Sequence, residues 1–569
     1  MSMTGARSLV KTLAELGVEV VFGLPGSHGL PIWDALADAS AGTAAGIRLI
    51  GVRHEQAAAH AADGYARVAG SLGVALVTTG PGAVNALRAV GEAMASASPV
   101  LVLATEVRAP QRPQGAARGS HRDVGEQESL FAPLTKATFT VGHPDEIASV
   151  VREAARIATR PQSGPVYVGV PAGFLGDPVE VREDTGRPVE PELPLPASED
   201  VERAREALLA ARSPLIWAGG GALRSGAGDA VGVLAERLAA PIITTFTARG
   251  IVPPDHPCLA SNPVHAPEVG ALWDEADVVL AIGTDFDGAM TQNWRMPQPP
   301  HLIAVNVDAE DAAKYYPPDS LLLGDARQVV EALSLGIPSK PGLDELTRRL
   351  DDIEVRVRRR VRKEEPHAAE FLSALKETLP EGSVLVTDMC VAGYWIGGFH
   401  RVSGPRQLAL PMGWGTVGFG FPASLGVAAT GAVRAVCVTG DGGFLPACAE
   451  LATAIQDALP VTVVIVDDGG YGMLGYGQDA GFGYAGVDLA TPDFVGLAKS
   501  FGVHADRVDG FGRAFRRLLR EFTRTEEPNV LVVGAELRPP LNTSARWYRR
   551  EERTIGTKYR KGRHHDDHS

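Results

Sequence analysis

The chain has 569 residues, 45% of them hydrophobic, and a formal net charge of −14. Such a length predicts three or four domains with large buried cores, the acidic balance argues against a nucleic-acid partner, and the lack of any run of 18 apolar residues argues against a membrane span. The four cysteines, Cys258, Cys390, Cys437 and Cys448, show no zinc or redox spacing, and the amino terminus carries Arg7 and Lys11 on an amphipathic stretch without an apolar signal core, so a reduced, cytoplasmic protein is expected.

From residue 1 to about 177, short apolar strands alternate with alanine-rich, helix-like stretches. Three segments stand out. Phe22-Gly23-Leu24-Pro25-Gly26-Ser27-His28-Gly29 reads as a loop rich in turn formers. Its His28 is either a group that titrates near neutrality and shuttles a proton or an imidazole bonded to backbone. Leu49-Ile50-Gly51-Val52 reads as a strand running into the helix that begins Arg53-His54-Glu55-Gln56, where Glu55 suits a helix start. Val74-Ala75-Leu76-Val77 is a strand that leads into the loop Thr79-Gly80-Pro81-Gly82-Ala83-Val84-Asn85. Farther on lie His121 and Gln127, on a later loop.

Pro178 to Pro196 is proline-rich and acidic, a linker. A second unit, placed at 197–340, holds strand-like runs at Pro214–Ala218, Pro241–Thr245 and Val278–Gly283 and reads as a Rossmann-like sheet. Its Gly219-Gly220-Gly221 is a weak nucleotide signal. Leu343 to Pro366 is charge-dense and reads as a solvated helical connector. The stretch from Arg538 is polar and basic and reads as a tail.

The third unit, 367–537, carries the chemistry. Ala435-Val436-Cys437-Val438 runs into Gly440-Asp441-Gly442-Gly443-Phe444. Val461-Thr462-Val463-Val464-Ile465-Val466 runs into Asp467-Asp468-Gly469-Gly470-Tyr471. A helix-like stretch, Ala449–Ile455, lies between. Two strands flanking one helix put Asp441 and Asp468 at one edge of a parallel sheet, outside the carboxyl ends where ligands bind. Two hard oxygen ligands beside glycines that admit close backbone approach suit an Mg²⁺–diphosphate pair. Cys437, inside an apolar strand, reads as a buried small hydrophobe.

This pattern resembles the thiamine diphosphate motif, and the chain is similar to the acetolactate synthase/2-oxo acid decarboxylase family. The resemblance implies an α/β fold of three Rossmann-like domains with parallel sheets: a pyrimidine-binding domain at 1–177, a central domain at 197–340, and a diphosphate-binding domain at 367–537, with 538–569 as a tail. It implies that Asp441, Asp468 and the carbonyl of Gly470 hold Mg²⁺, with Gly440, Gly442, Gly443, Tyr471 and Met473 around the cofactor. Glu55 becomes the carboxylate that activates the aminopyrimidine ring. In Gly413-Trp414-Gly415-Thr416-Val417-Gly418, Val417 becomes the apolar wedge that bends the cofactor and the Gly415 carbonyl faces its amino group. Gly26, Ser27, His121 and Gln127 fall where relatives approach substrate. Asp467 departs from the pattern, which usually has Asn there, and predicts some loss of cofactor affinity.

The resemblance further implies a site shared between two subunits, hence a homodimer or dimer of dimers. In the central domain FAD is possible but not favoured. The implied reaction is decarboxylation of a 2-oxo acid, with aldehyde release or carboligation to an acceptor carbonyl compound to give an acyloin. His28, and the loop Met473–Gln478 without the tryptophan of acetolactate synthases, favour this over acetolactate synthesis from pyruvate. The glycines of that loop suggest a mobile lid. A non-catalytic scaffold is the third reading, opposed by Glu55.

Overall fold

The computed structural model describes residues 3–40, 46–107, 126–180, 193, 195–431, 434–477 and 486–540. Three parallel sheets organise them. The first contains β1 (Val20–Gly23), β2 (Arg48–Gly51), β3 (Gly73–Val77), β4 (Val100–Glu106), β5 (Ala137–Thr140) and β6 (Val166–Pro171), in the order β2-β1-β3-β4-β6-β5. The second contains β7 (Pro214–Ala218), β8 (Ile242–Thr244), β9 (Val278–Ile282), β10 (Leu302–Asn306) and β11 (Ser320–Leu323), in the order β11-β10-β9-β7-β8. The third contains β12 (Val384–Thr387), β13 (Leu408–Ala409), β14 (Ala435–Gly440), β15 (Val461–Asp467), β16 (His504–Asp509) and β17 (Asn529–Gly534), in the order β13-β12-β14-β15-β17-β16. The three-domain α/β architecture is the one the sequence predicts. The first and third sheets repeat one strand order, although no repeat is visible in the sequence.

The apolar runs read as strands are buried on both faces, as parallel sheets require. In β15 the alternation is visible residue by residue. Val461, Val463 and Ile465 join a core shared with the first domain, whereas Val464 and Val466 join the core shared with the central domain. Cys437 is buried in the former, and burial drives its thiol well above the ordinary range.

Small residues bring the first and third domains together. The helix Glu55–Ala69 packs on the helix Gly420–Ala429. A Cβ at Gly64 would lie 2.2 Å from the Ala423 carbonyl oxygen, and one at Gly426 1.8 Å from that of Ala61. Only glycine permits this approach, so these two positions set the distance between the domains.

The connector at 343–366 is the helix the sequence reading expects, but one of its faces is buried. It forms one helix, Leu343–Glu364, whose Leu346, Leu350, Ile353, Val357 and Val361 are buried. Their spacing of three and four places them on one face, and Arg360 and Arg349 pair with Glu268 and Glu275 on the helix Pro267–Glu275. The connector is solvated on one side only. No helix among the described residues is long and apolar enough to cross a membrane.

Candidate active site

The carboxyl ends of β14 and β15 bring the acid pair together. Asp441 opens the short helix Asp441–Phe444 and is buried. Its Oδ1 accepts from its neighbour Gly442 N–H at 2.7 Å, and its Oδ2 accepts from Gly469 N–H at 3.0 Å, which ties the two loops. The Gly470 N–H also lies close to both carboxylates. Gly470 bridges to Asp488, while the Tyr471 N–H donates to the Val487 carbonyl and the Gly469 carbonyl accepts from Leu489. The turns are tight: a Cβ at Gly442 would lie 2.6 Å from the Tyr471 ring, one at Gly443 2.8 Å from Thr439 Oγ1, and one at Gly472 2.4 Å from Asp468 Oδ2. Met473 sits at the start of a short helix, Gly472–Gly477, where a loop was expected.

Electrostatics mark this corner. Burial first, then the charge of Asp441, push the Asp468 carboxyl up to about 7. Burial likewise raises Asp441, with Asp467 adding to it. Two desolvated acids that repel each other are the donor set a divalent cation relieves. Among the described residues no group of three or more His, Cys, Asp or Glu side chains is arranged to hold a metal. A cation here would complete its shell from backbone and diphosphate oxygens, as Mg²⁺ commonly does. The residues therefore fit an Mg²⁺–diphosphate group.

The unexpected Asp467 is neutralised locally. Its carboxylate meets the Arg507 guanidinium at 2.7 Å. Arg507 lies on β16 and reaches Asp467 on β15 across the intervening β17, where a Cβ at Gly534 would crowd its guanidinium at 3.0 Å. The extra negative charge expected from the sequence thus has a cation beside it.

Glu55 opens its helix in the first domain and is buried. His54 caps that helix by accepting from Gln56 N–H. The Glu55 carboxylate accepts from the Asn85 amide at 3.0 Å and leaves no room for a side chain at Gly82. The neighbouring Arg53 N–H donates to the buried Glu450 of the third domain at 3.0 Å. Thr78, whose hydroxyl is buried without a partner, lies against both Gly26 and Gly82. Its atoms would lie within 2.2 Å of a Cβ at Gly26. Ser27 is exposed. His28 Nδ1 meets Thr79 Oγ1 at 2.8 Å. In one chain the Glu55 carboxylate bonds within the first domain and the Asp441 carboxylate within the third.

Gln127, expected on a loop, opens the short helix Gln127–Phe131. It is buried, and its amide is used by the protein: its oxygen accepts from Gly80 N–H at 2.7 Å, and its nitrogen donates to the Tyr167 hydroxyl and the Thr105 carbonyl. It anchors the Thr79–Gly80 loop from behind. His121 and Gln478 lie outside the described residues.

The segment 413–418 is gripped by groups that sequence reading missed. Buried Glu92, from the helix Pro81–Ala95, accepts from the Trp414 and Thr416 N–H groups at 3.3 and 3.2 Å. Buried Asp388 accepts from Gly418 and Gly420 N–H at 2.9 and 2.8 Å. Burial raises the Asp388 carboxyl to about 6 against these donors. The Arg88 guanidinium donates to the Val417 carbonyl. Arg67, paired bidentately with Asp63, lies 3.6 Å from Glu92 and donates to the Leu410 carbonyl. Gly415, at φ +80, sits against Met389. Asp388 shares the signal that revealed the acid pair, an Asp directly after an apolar strand. Glu92 and Arg88 have no such local signal.

Comparison with known proteins agrees with this geometry. The chain belongs to the thiamine pyrophosphate (thiamine diphosphate) enzyme family, whose N-terminal TPP binding domain, central domain and C-terminal TPP binding domain match residues 3–126, 201–333 and 388–533. Among its relatives, a probable acetolactate synthase large subunit of Methanocaldococcus jannaschii is 32% identical over 561 residues, covering 93% of this chain and 92% of that protein. A probable 2-ketoarginine decarboxylase of Pseudomonas aeruginosa is 33% identical over 515 residues, covering 88% and 89%. A thiamine diphosphate-dependent 4-hydroxybenzoylformate decarboxylase of Rhodococcus jostii RHA1 shares the fold, with a TM-score of 0.79 at 22% identity over 95% of this chain and 100% of that one.

Proposed function

We propose that this enzyme uses thiamine diphosphate and Mg²⁺ to decarboxylate a 2-oxo acid, releasing an aldehyde or joining the acyl unit to an acceptor carbonyl. The observation that carries the reading is the desolvated pair Asp441 and Asp468, both facing the Gly470 N–H at the carboxyl ends of β14 and β15. Asp441, Asp468 and the Gly470 carbonyl hold the cation and, through it, the diphosphate, with Gly440, Gly442, Gly443, Tyr471 and Met473 lining that half. When bound, thiamine diphosphate supplies the electron sink that makes loss of CO₂ feasible.

The remaining roles belong to the chain. Glu55 holds a proton at the aminopyrimidine ring, kept in place by Asn85. Val417 and the Gly415 carbonyl shape the cofactor. His28, anchored on Thr79, moves a proton to or from the product. Gly26 and Ser27 border the substrate. A second copy of the chain supplies the half that each chain lacks, so the active unit is a homodimer or a dimer of dimers.

Acetolactate synthesis is the second reading, favoured by the relatives of that name. A screen of 2-oxo acids for CO₂ release in the presence of both cofactors, with product analysis, separates the two. Aldehyde or acyloin from a 2-oxo acid other than pyruvate is the expected result. Acetolactate as the main product from pyruvate reverses the order.

A further inference from the structure

Glu450 is a buried acid of the third domain that stands outside the cation site. It is 1% exposed and ends the tight helical turn Leu445–Glu450. That turn continues the short helix Asp441–Phe444 and runs into the helix Leu451–Gln456, so the backbone from Asp441 to Gln456 is helical without a break. The Glu450 carboxylate leaves this run and crosses to the first domain. Both of its oxygens accept from the Arg53 N–H, at 3.0 and 3.2 Å, and the His54 N–H lies close to them. From its own side the Thr453 hydroxyl donates to Oε2 at 2.6 Å. Beside this contact the Arg53 guanidinium donates to Gln456 Oε1 at 2.8 Å.

Burying a carboxylate costs desolvation, and burial raises the Glu450 carboxyl against these donors. The bonds it makes lie at the start of the helix Glu55–Ala69. A helix N-terminus carries partial positive charge and favours an acid placed there. His54 is extended and Glu55 is the first helical residue, so a turn of the backbone at 53–54 swings the Glu55 side chain. Asn85 holds the far end of that side chain, at Oε2. Glu450 holds the near end, through the backbone.

We infer that Glu450 is a positioning residue for the reaction: reaching over from the third domain, it fixes the backbone at Arg53–His54 and so aims the Glu55 carboxylate. The inference rests on the role proposed above for Glu55. Glu450 itself touches neither cofactor nor substrate, and acts through Glu55 alone.

Amide hydrogen exchange and a double-mutant cycle on the full chain test this. In Glu450→Ala the amides of residues 53–57 exchange faster in the cofactor-free protein. In the loaded enzyme kcat falls about 10–10²-fold, the loss that a small misplacement produces, while thiamine diphosphate binds with unchanged affinity. In a Glu55→Gln background the same substitution lowers kcat no further, because a residue that acts through Glu55 has nothing left to aim. Glu450→Gln keeps the size and one acceptor oxygen, so its loss is smaller and follows the same pattern; it carries the cycle if Glu450→Ala does not fold. Losses that multiply in the double variant, weaker cofactor binding in place of slower turnover, or unchanged exchange at 53–57 overturn the inference. If the wild type turns over no 2-oxo acid, the proposed function fails, and the exchange data alone decide whether Glu450 fixes the helix start.

Discussion

The first and third domains are built on one strand order, β2-β1-β3-β4-β6-β5 repeated as β13-β12-β14-β15-β17-β16, yet their carboxyl edges carry different groups. At the first edge Glu55 is bonded to the Asn85 amide, and Glu106, at the end of β4, to the Tyr167 hydroxyl. At the third edge Asp441 and Asp468 lie together, and burial, then the charge of Asp441, drives Asp468 up to about 7. A single acid beside a neutral amide is suited to holding a proton, whereas a repelling pair is suited to holding a cation. The sheet supplies position in both cases, and the residues at the strand ends decide what is bound.

That contrast can be broken at either edge. Glu55→Gln, which keeps the bond geometry and removes the charge, is expected to lower turnover about 10²–10⁴-fold. Cofactor affinity should change little, and steady-state kinetics beside a binding titration separates the two. Loss of binding instead of turnover would make the first edge a docking surface like the third.

Where the domains meet, Glu92→Ala leaves the Trp414 and Thr416 N–H groups and Arg67 without their shared acceptor. The expected cost is about 2–4 kcal/mol of stability, read by denaturant unfolding. Arg88→Ala, on an exposed side chain, should cost far less. Both should speed amide hydrogen exchange across 413–418. Unchanged exchange in both variants would mean that the third domain holds this segment alone.

A smaller effect is expected at Arg507. Arg507→Ala exposes the cation site to the charge of Asp467 and should weaken thiamine diphosphate binding about 2–5-fold. Adding Asp467→Asn should restore it in a double-mutant cycle.

The pH dependence of the metal-free protein is the subtlest test. Asp468 has a folded pKa raised towards 7, above the unfolded value of roughly 4. The native state therefore binds more protons than the unfolded state between those limits, and stability falls as pH rises through that window. Saturating Mg²⁺ replaces the proton and should flatten the profile, measured as melting temperature against pH.

Much of this was legible in the sequence because it is local. An apolar strand followed by Gly-Asp or Asp-Asp-Gly-Gly places Asp441 and Asp468 without knowledge of the fold, and Asp388 obeys the same rule. Arg507 was not legible, because it meets Asp467 across a third strand and 40 residues. Glu92 and Arg88 look like ordinary helix residues until another domain lies against them. Gln127 is a further case: its burial against Tyr167 and Gly80 comes from packing and has no local signal. The connector at 343–364 shows the reverse case. Its apolar spacing was present in the sequence but was outweighed in the reading by its charge density.

The most direct test of the central claim is a calorimetric titration of thiamine diphosphate into the protein with Mg²⁺, with a chelator in place of Mg²⁺, and into Asp441→Ala. One binding event per chain with Mg²⁺, abolished by the chelator and by the substitution, is the expected result. Binding of equal strength in Asp441→Ala, or none in the wild type, would contradict the account.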